Sequence, residues 1–341
     1  VRILVAAPGP AFSVQDVYAG WVEALGELGA HVVGFNLDER LSFYDEALLP
    51  TLTPDVFRKA LTSEQAHELA VNGLNAALYK VRPDLLIVIS GFFLPPEVYV
   101  RARTYGTRVV LIHTEEPYEL DRDLARAPYA DLNLLNDPTH LARFQQVGPA
   151  LYLPHAFRPS VHHPGPPLPD LECDLAFVGT GYASRIAFFE AMDLAGLDVL
   201  LAGHWANLAE DSPLRPLVAH RLAHCLDNAK AADIYRSARA GLNLYRREAT
   251  EVGSSQGWAM GPREIEMAAS QLFFVRDPRP EGDEVLDMLP TFADPDEAGE
   301  AIRWYLAHDD ERQALATKAC EAVQDRTFTN HAAALLRMFD Q

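Results

Sequence analysis

Cysteine is scarce in this 341-residue chain: Cys173, Cys225 and Cys320 are scattered, without pairing or metal-ligand spacing. That argues against a disulfide scaffold or a cysteine-based zinc site and fits a reducing compartment, so a cytoplasmic protein is expected. Basic residues are also few. Lys and Arg number 29 against 48 Asp and Glu, a net charge of −19, which repels nucleic acid over most of the surface. Long apolar runs are missing too: nothing approaches about 18 uninterrupted apolar residues, so no membrane-spanning helix is expected. The opening "VRILVAAPGP" is too short and too soon broken for a secretory h-region and reads as a first buried strand.

What is present is enough apolar residues (49%) to bury two cores. Short β-rich runs alternate with helical ones. "RILVAA", "HVVGFN", "DLLIVISG", "RVVLIH", "LNLL" and "ALYLPH" read as strands. Between them, "VQDVYAGWVEALGELG" carries Val17, Trp21, Leu25 and Leu28 on one face, with Gly29 as its stop. "SEQAHELAVNGLNAALYKV" and "PPEVYVRARTYG" are further helices. The stretch "RPSVHHPGPPLPDLE", with five prolines and a glycine, reads as a linker in which His162 and His163 are solvated. The alternation then restarts with "CDLAFVGT", "SRIAFFEAMDLAG", "DVLLAG", "ADIYRSA" and "AGLNLYR". This is doubly wound α/β patterning, twice over. The expected division is a first domain at 1–160, a linker at 161–172, a second domain at 173–326, and a helix at 327–341 packing back on the first.

Ligands of open α/β sheets bind beyond the carboxyl ends of the strands, so two such domains facing each other across a cleft would hold a donor and an acceptor. In "AFVGTGYASR" a strand ends at Val178, and Gly179 and Gly181 open the way to a helix. An anion could approach backbone N–H groups there, with Arg185 adding a charge-assisted contact. An ordinary strand-to-helix turn gives the same pattern. In "MGPREIEMAAS", Gly261 and Pro262 suit the N-cap and first position of a helix. Ile265, Ala268, Ala269 and Leu272 supply its buried side, and Arg263 and Glu266 share another face. Glu264 offsets the helix dipole, but Arg263 stands at the wrong end of it unless an anion sits there.

Several stretches in order, "CDLAFVGTGYASR", "LLAGHW", "DIYRSARAGLNLYR", "PREIEMAAS" and "FADPDEAGEAIRWYLAHDDERQALATKACEAVQDRTF", resemble the CgeB-like, spore-maturation-type glycosyltransferases, allied to the family 4 glycosyltransferases. "RPDLLIVISG", "GTRVVLIHTEEPY" and "ADLNLLNDPTHLARFQQVGPALYLPHAF" resemble the accompanying N-terminal domain, so the likeness covers roughly residues 80 to 330. It implies a GT-B fold and a nucleotide-sugar donor, UDP- or GDP-linked, as substrate, with no cofactor and no obligatory metal. Family 4 enzymes contact the donor with two glutamates separated by seven residues. Glu266 matches the second and is the ribose-binding candidate; Trp258 stands where the first would be, a departure that leaves the grip on the sugar to backbone groups of "SSQGWAMG". Arg185 and Arg263 are the diphosphate candidates, beside Gly179, Gly181 and Gly261.

The first domain should then supply catalytic groups. "VVLIHTEEPY" puts His113, Glu115 and Glu116 just past a strand end. The resemblance places a histidine like His113 near the donor sugar, and Glu115 or Glu116 would serve as general base if the reaction inverts. Asp16 lies where inverting GT-B enzymes often carry a base, and equally where a first-turn acid complements the dipole. Kinship with family 4 leans toward retention. The acceptor stays open among carbohydrate, protein, small metabolite and a modified DNA base, the last disfavoured by charge. The rivals are a GT-B epimerase or hydrolase acting on the donor alone, and a two-domain binding protein without turnover.

Overall fold

The computed structural model describes residues 1–7, 14–219, 222, 226–248 and 256–339. They form two compact units, one of Val1–Leu153 with Ala332–Gln341 and one of Pro154–His331.

The first unit opens with β1 (Arg2–Ala6), α1 (Gln15–Glu27), β2 (His31–Phe35) and α2 (Leu37–Asp45). An antiparallel hairpin of β3 (Leu48–Pro50) and β4 (Phe57–Lys59) precedes α3 (Ser63–Val81). Then come β5 (Leu85–Ile89), α4 (Pro96–Thr104), β6 (Arg108–His113), α5 (Leu120–Leu124), β7 (Leu132–Leu135), α6 (Leu141–Gln145) and β8 (Ala150–Tyr152). Six of these strands make a parallel sheet in the order β2-β1-β5-β6-β7-β8. Every residue of β5 is buried, because helices cover both faces of a central parallel strand. α3 starts with a Thr62–Gln65 capping box and buries Ala66, Ala70, Leu74 and Leu78, a stripe at four-residue spacing, against that core. At the chain's end Arg108 donates from Nη2 to the Phe339 carbonyl (3.0 Å) and stacks 4.3 Å over its ring.

The second unit runs β9 (Cys173–Val178), α7 (Ala183–Ala191), β10 (Val199–Ala202), α8 (Asn228–Ser237), β11 (Ala238–Asn243), α9 (Pro262–Ala269) and β12 (Phe274–Arg276). It continues with α10 (Pro280–Val285), α11 (Pro295–Ala307), α12 (Asp309–Val323) and α13 (Phe328–Phe339), of which Ala332 onward groups with the first unit. The sheet is parallel, ordered β10-β9-β11-β12. Phe177, Phe189 and Trp205 meet edge to face at its heart, with ring centroids 5.1 to 6.1 Å apart. Both halves are therefore α/β with parallel sheets, as the alternation of the sequence implies. Among the described residues no helix is long and apolar enough to cross a membrane.

The proline-rich segment departs from expectation. It belongs to the second unit and is tied along α8: Arg236 Nη1 donates to the Val161 carbonyl (2.9 Å), and the Leu168 N–H donates to Ser237 Oγ (2.9 Å). His162, read from composition as solvated, is 1% exposed. His163 is exposed.

Candidate functional site

At the carboxyl edge of the second sheet, the ends of β9 and β11 meet the start of α9, and the end of β10 packs on the turn after β9. The two glycines after β9 are explained by packing. A Cβ on Gly181 would stand 2.5 Å from the Trp205 ring, and one on Gly179 would stand 2.4 Å from Arg263 Nη2. Gly203, at φ +111°, lies so near the Gly179 carbonyl that a Cβ would approach its oxygen to 2.2 Å. The N–H groups of Gly179 and Gly181 donate to the carbonyls of Ala202 (2.8 Å) and His204 (2.7 Å). They extend the β9–β10 pairing and are already used, so the turn does not present them to an anion.

The arginines have internal partners as well. Arg185 is 7% exposed; its guanidinium donates to the Leu244 carbonyl from Nε (3.1 Å) and Nη2 (2.7 Å), and to the Thr180 carbonyl from Nη1 (3.0 Å). Arg263 donates to the Val178 carbonyl, to Asn243 Oδ1 (3.2 Å) and to the Leu244 carbonyl (3.4 Å), 4.9 Å over the Phe177 ring. Both side chains clamp strand ends together.

α9 begins as its sequence dictates, with Gly261 at the N-cap and Pro262 in the first turn. Glu264 is fully buried. Its Oε2 accepts from the Gly261 N–H (2.9 Å) and from the Tyr245 hydroxyl, whereas Oε1 has no partner among the described residues. Burial pushes its carboxyl up to about 7, against the pull of those donors and of Arg276 and Arg279. In the unfolded chain the carboxyl loses its proton near 4.5, so between about pH 4.5 and 7 the folded state alone retains it. This group's contribution to stability should therefore fall as pH rises through that window and level off above it. Urea unfolding at pH 5 and pH 8 should show a loss of roughly 2–3 kcal/mol that Glu264→Gln removes. An equal pH dependence in the variant would exclude Glu264 as its source.

One turn into the same helix, Glu266 is half-buried and accepts from Asn228 Nδ2 (3.0 Å) at the start of α8. Tyr235 lies beside it, and burial together with Glu266 raises the phenol well above its usual range. Beyond β11, Arg246 points Nη1 at the Tyr182 hydroxyl (3.5 Å), and Arg247 holds both oxygens of Asp277 (2.8 and 2.7 Å). Glu248 receives the Ser184 N–H (3.0 Å) and hydroxyl (3.1 Å) at the first turn of α7. Burial opposes its charge, but the N–H donors of Ser184 and Arg247 outweigh this and hold its carboxyl below the usual range.

In the first unit, His113 ends β6 with no exposed surface. Its Nδ1 faces Asp123 Oδ1 and its Nε2 faces Asn133 Oδ1, each at 2.9 Å. The Asn133 amide is oriented by its Nδ2, which donates to the carbonyls of Ala127 and Pro149 (both 3.2 Å), while Arg126 also binds Asp123 (2.9 Å). His113 is thus a knot tying β6, α5 and β7, with neither nitrogen presented to a substrate. Glu116 is buried with Oε2 2.9 Å from His140 Nδ1, and Glu115 is partly exposed. Asp16 is the first-turn acid of α1.

A glycosyl transferase-like family model matches residues 185–337, from within α7 to within α13. Solved structures match over nearly the whole chain. A sucrose-phosphate synthase from Thermosynechococcus elongatus aligns with TM-score 0.67 and 14% identity, covering 99% of each chain. The trehalose-6-phosphate protein from E. coli bound with UDP-2-fluoro glucose aligns with TM-score 0.66 and 13% identity, covering 100% of this chain and 99% of that one. An alpha-glucosyltransferase in complex with UDP and a 13-mer DNA containing a HMU base aligns with TM-score 0.63 and 13% identity, over 99% and 98%. No curated protein sequence matches significantly.

The fold is GT-B. Sequence reasoning finds the two sheets of this GT-B chain and the helix carrying Glu266. It misses Asn228, Arg246, Arg247, Glu248 and the buried His162. Asn228 has a sequence signal, the Asp227 N-cap whose side chain accepts from Lys230. The run Arg246, Arg247, Glu248, separated from the end of β11 by two residues, is another. His162 has none. Ser254, Ser255 and Cys225 lie outside the described residues.

Proposed function

We propose that this chain is a glycosyltransferase that takes a sugar from a UDP- or GDP-linked donor without a metal ion and transfers it to a carbohydrate or protein acceptor. The observation that carries the reading is Glu266. It is a carboxylate steadied by Asn228 on the carboxyl side of a parallel sheet, inside the segment matched by the glycosyl transferase-like model. Two acceptor oxygens suit a vicinal diol such as that of ribose. The GT-B neighbours include chains holding UDP-2-fluoro glucose and UDP, which supports a nucleotide-sugar donor.

In this reading Arg185 and Arg263 hold the floor of the donor site rather than the diphosphate itself. Arg246 and the first turns of α7 and α9 are the better placed sources of positive potential for a leaving nucleotide diphosphate. Glu248 occupies the first turn of α7 in this structure, so a diphosphate there would compete with it. On the first unit, Glu115 is the general-base candidate should the reaction invert, and His113 fixes the strand end from which the Glu115 loop springs. One neighbour holds DNA with a HMU base, but a net charge of −19 makes a DNA acceptor the weaker choice.

The test is a thermal-shift screen with UDP, GDP, ADP, dTDP and their common sugars, in EDTA and in Mg²⁺. A ligand at 100 times its Kd adds about 2.7 kcal/mol to the folded state. One nucleotide family should raise the melting temperature equally in both conditions. Folded protein that responds to none of them would overturn the reading, and a response only with Mg²⁺ would overturn metal independence.

A further inference from the structure

The proline-rich strap carries a side chain that the framework does not explain. His162 is buried, yet neither Nδ1 nor Nε2 has a hydrogen-bond partner among the described residues. Its backbone position is fixed within the second unit: its N–H donates to the Arg158 carbonyl (2.8 Å), and the preceding carbonyl, of Val161, accepts from Arg236. A buried imidazole with two idle nitrogens loses its hydration for nothing in return, which normally signals a missing partner.

The surroundings identify that partner's chemistry. A His162 ring nitrogen and a Glu266 carboxylate oxygen lie within 4.8 Å of each other but are not hydrogen-bonded. A hydroxyl oxygen about 2.8 Å from each would span such a gap. Burial first, then Arg158, Arg236 and His163, push the imidazolium down to about 3, so near neutral pH the ring is uncharged, with one N–H donor and one bare nitrogen. Glu266 can only accept. A single group served by both through its one oxygen must donate to the carboxylate and accept from the imidazole N–H. A hydroxyl does this with its one proton and its lone pairs; a phosphate oxygen or a carboxylate has no proton to give Glu266.

We propose that His162 reads a sugar hydroxyl of the nucleotide jointly with Glu266, and so sets a preference for ribonucleotides over deoxyribonucleotides. The inference rests on the nucleotide-sugar reading above and assigns a specificity-determining residue within it.

The experiment is calorimetric titration of the full chain with UDP, 2′-deoxy-UDP and 3′-deoxy-UDP, and with the same three forms of GDP. Wild type should bind one ribonucleotide about tenfold tighter than at least one of its deoxy forms. His162→Leu, which roughly keeps the volume and removes both nitrogens, should bring that ratio toward one and leave affinity for the deoxy form nearly unchanged. His162→Gln, with a donor and an acceptor, should restore part of it. If the variants lower the melting temperature while the ratio persists, or if wild type shows no ratio, His162 is structural and the inference is overturned. Wild-type protein that binds none of the six would overturn the nucleotide-sugar reading itself, a different failure from loss of the ratio alone.

Discussion

Glu266→Ala should weaken nucleotide binding by roughly 10- to 100-fold and leave the melting temperature of the free protein near that of wild type. The magnitude follows from hydrogen bonds to a charged group, each about 1.5–3 kcal/mol, with about 1.4 kcal/mol per decade of affinity. The stability expectation follows from position. Glu266 is half-buried, and its carboxylate accepts from Asn228 Nδ2 on the neighbouring helix. Glu266→Gln should lie between, because an amide keeps one acceptor oxygen and offers a donor where a hydroxyl would have given its proton. Calorimetry with UDP and GDP, paired with unfolding curves, separates the outcomes. A collapse in melting temperature with normal binding by the surviving folded protein would make Glu266 a framework residue.

Arg263→Ala should act in the opposite sense, on the fold first. Its guanidinium gathers the Val178 carbonyl, Asn243 Oδ1 and the Leu244 carbonyl, joining the ends of β9 and β11 to the first turn of α9. Asn243 is 1% exposed and its Nδ2 already has no partner among the described residues. Truncation would leave its oxygen without this donor too. A loss of about 3 kcal/mol or more is expected, read as a fall in the urea midpoint. Arg263→Lys should rescue little, since a single ammonium cannot reproduce a planar fork reaching three acceptors. UDP and uridine should lose affinity alike. A variant of normal stability that loses UDP but keeps uridine would return Arg263 to the diphosphate.

These two residues show how far the sequence could be read. Gly261 and Pro262 announce the start of α9, and the spacing of Ile265, Ala268 and Ala269 gives its buried face, so the helix and the presence of a polar edge were legible. The use of each polar group was not. Arg263 and Arg185 look alike as motif arginines, yet both end on backbone carbonyls, and Leu244 is 59 residues from Arg185. No local pattern encodes that pairing. Gly179 and Gly181 are glycines for packing against Arg263 and Trp205, whereas the sequence allowed a phosphate loop as well. His113 was correctly placed at a strand end, but its partners Asp123 and Asn133 come from elements 10 and 20 residues on. Small elements escaped as well: β3 and β4 are three residues each and wholly exposed, leaving no buried alternation to detect.

The strap over α8 has a practical consequence for dissecting the molecule. Five prolines between Arg158 and Glu172 restrict the unfolded segment, so docking it sacrifices less chain entropy than an ordinary tether would. A recombinant second unit begun at Cys173, where the sequence places the domain start, would lack the strap and the partners that Arg236 and Ser237 find on it. One begun at Pro154 keeps them, together with the Phe157–Thr327 bridge. The strap is better regarded as an extra edge of the second unit's fold than as the thread between two beads.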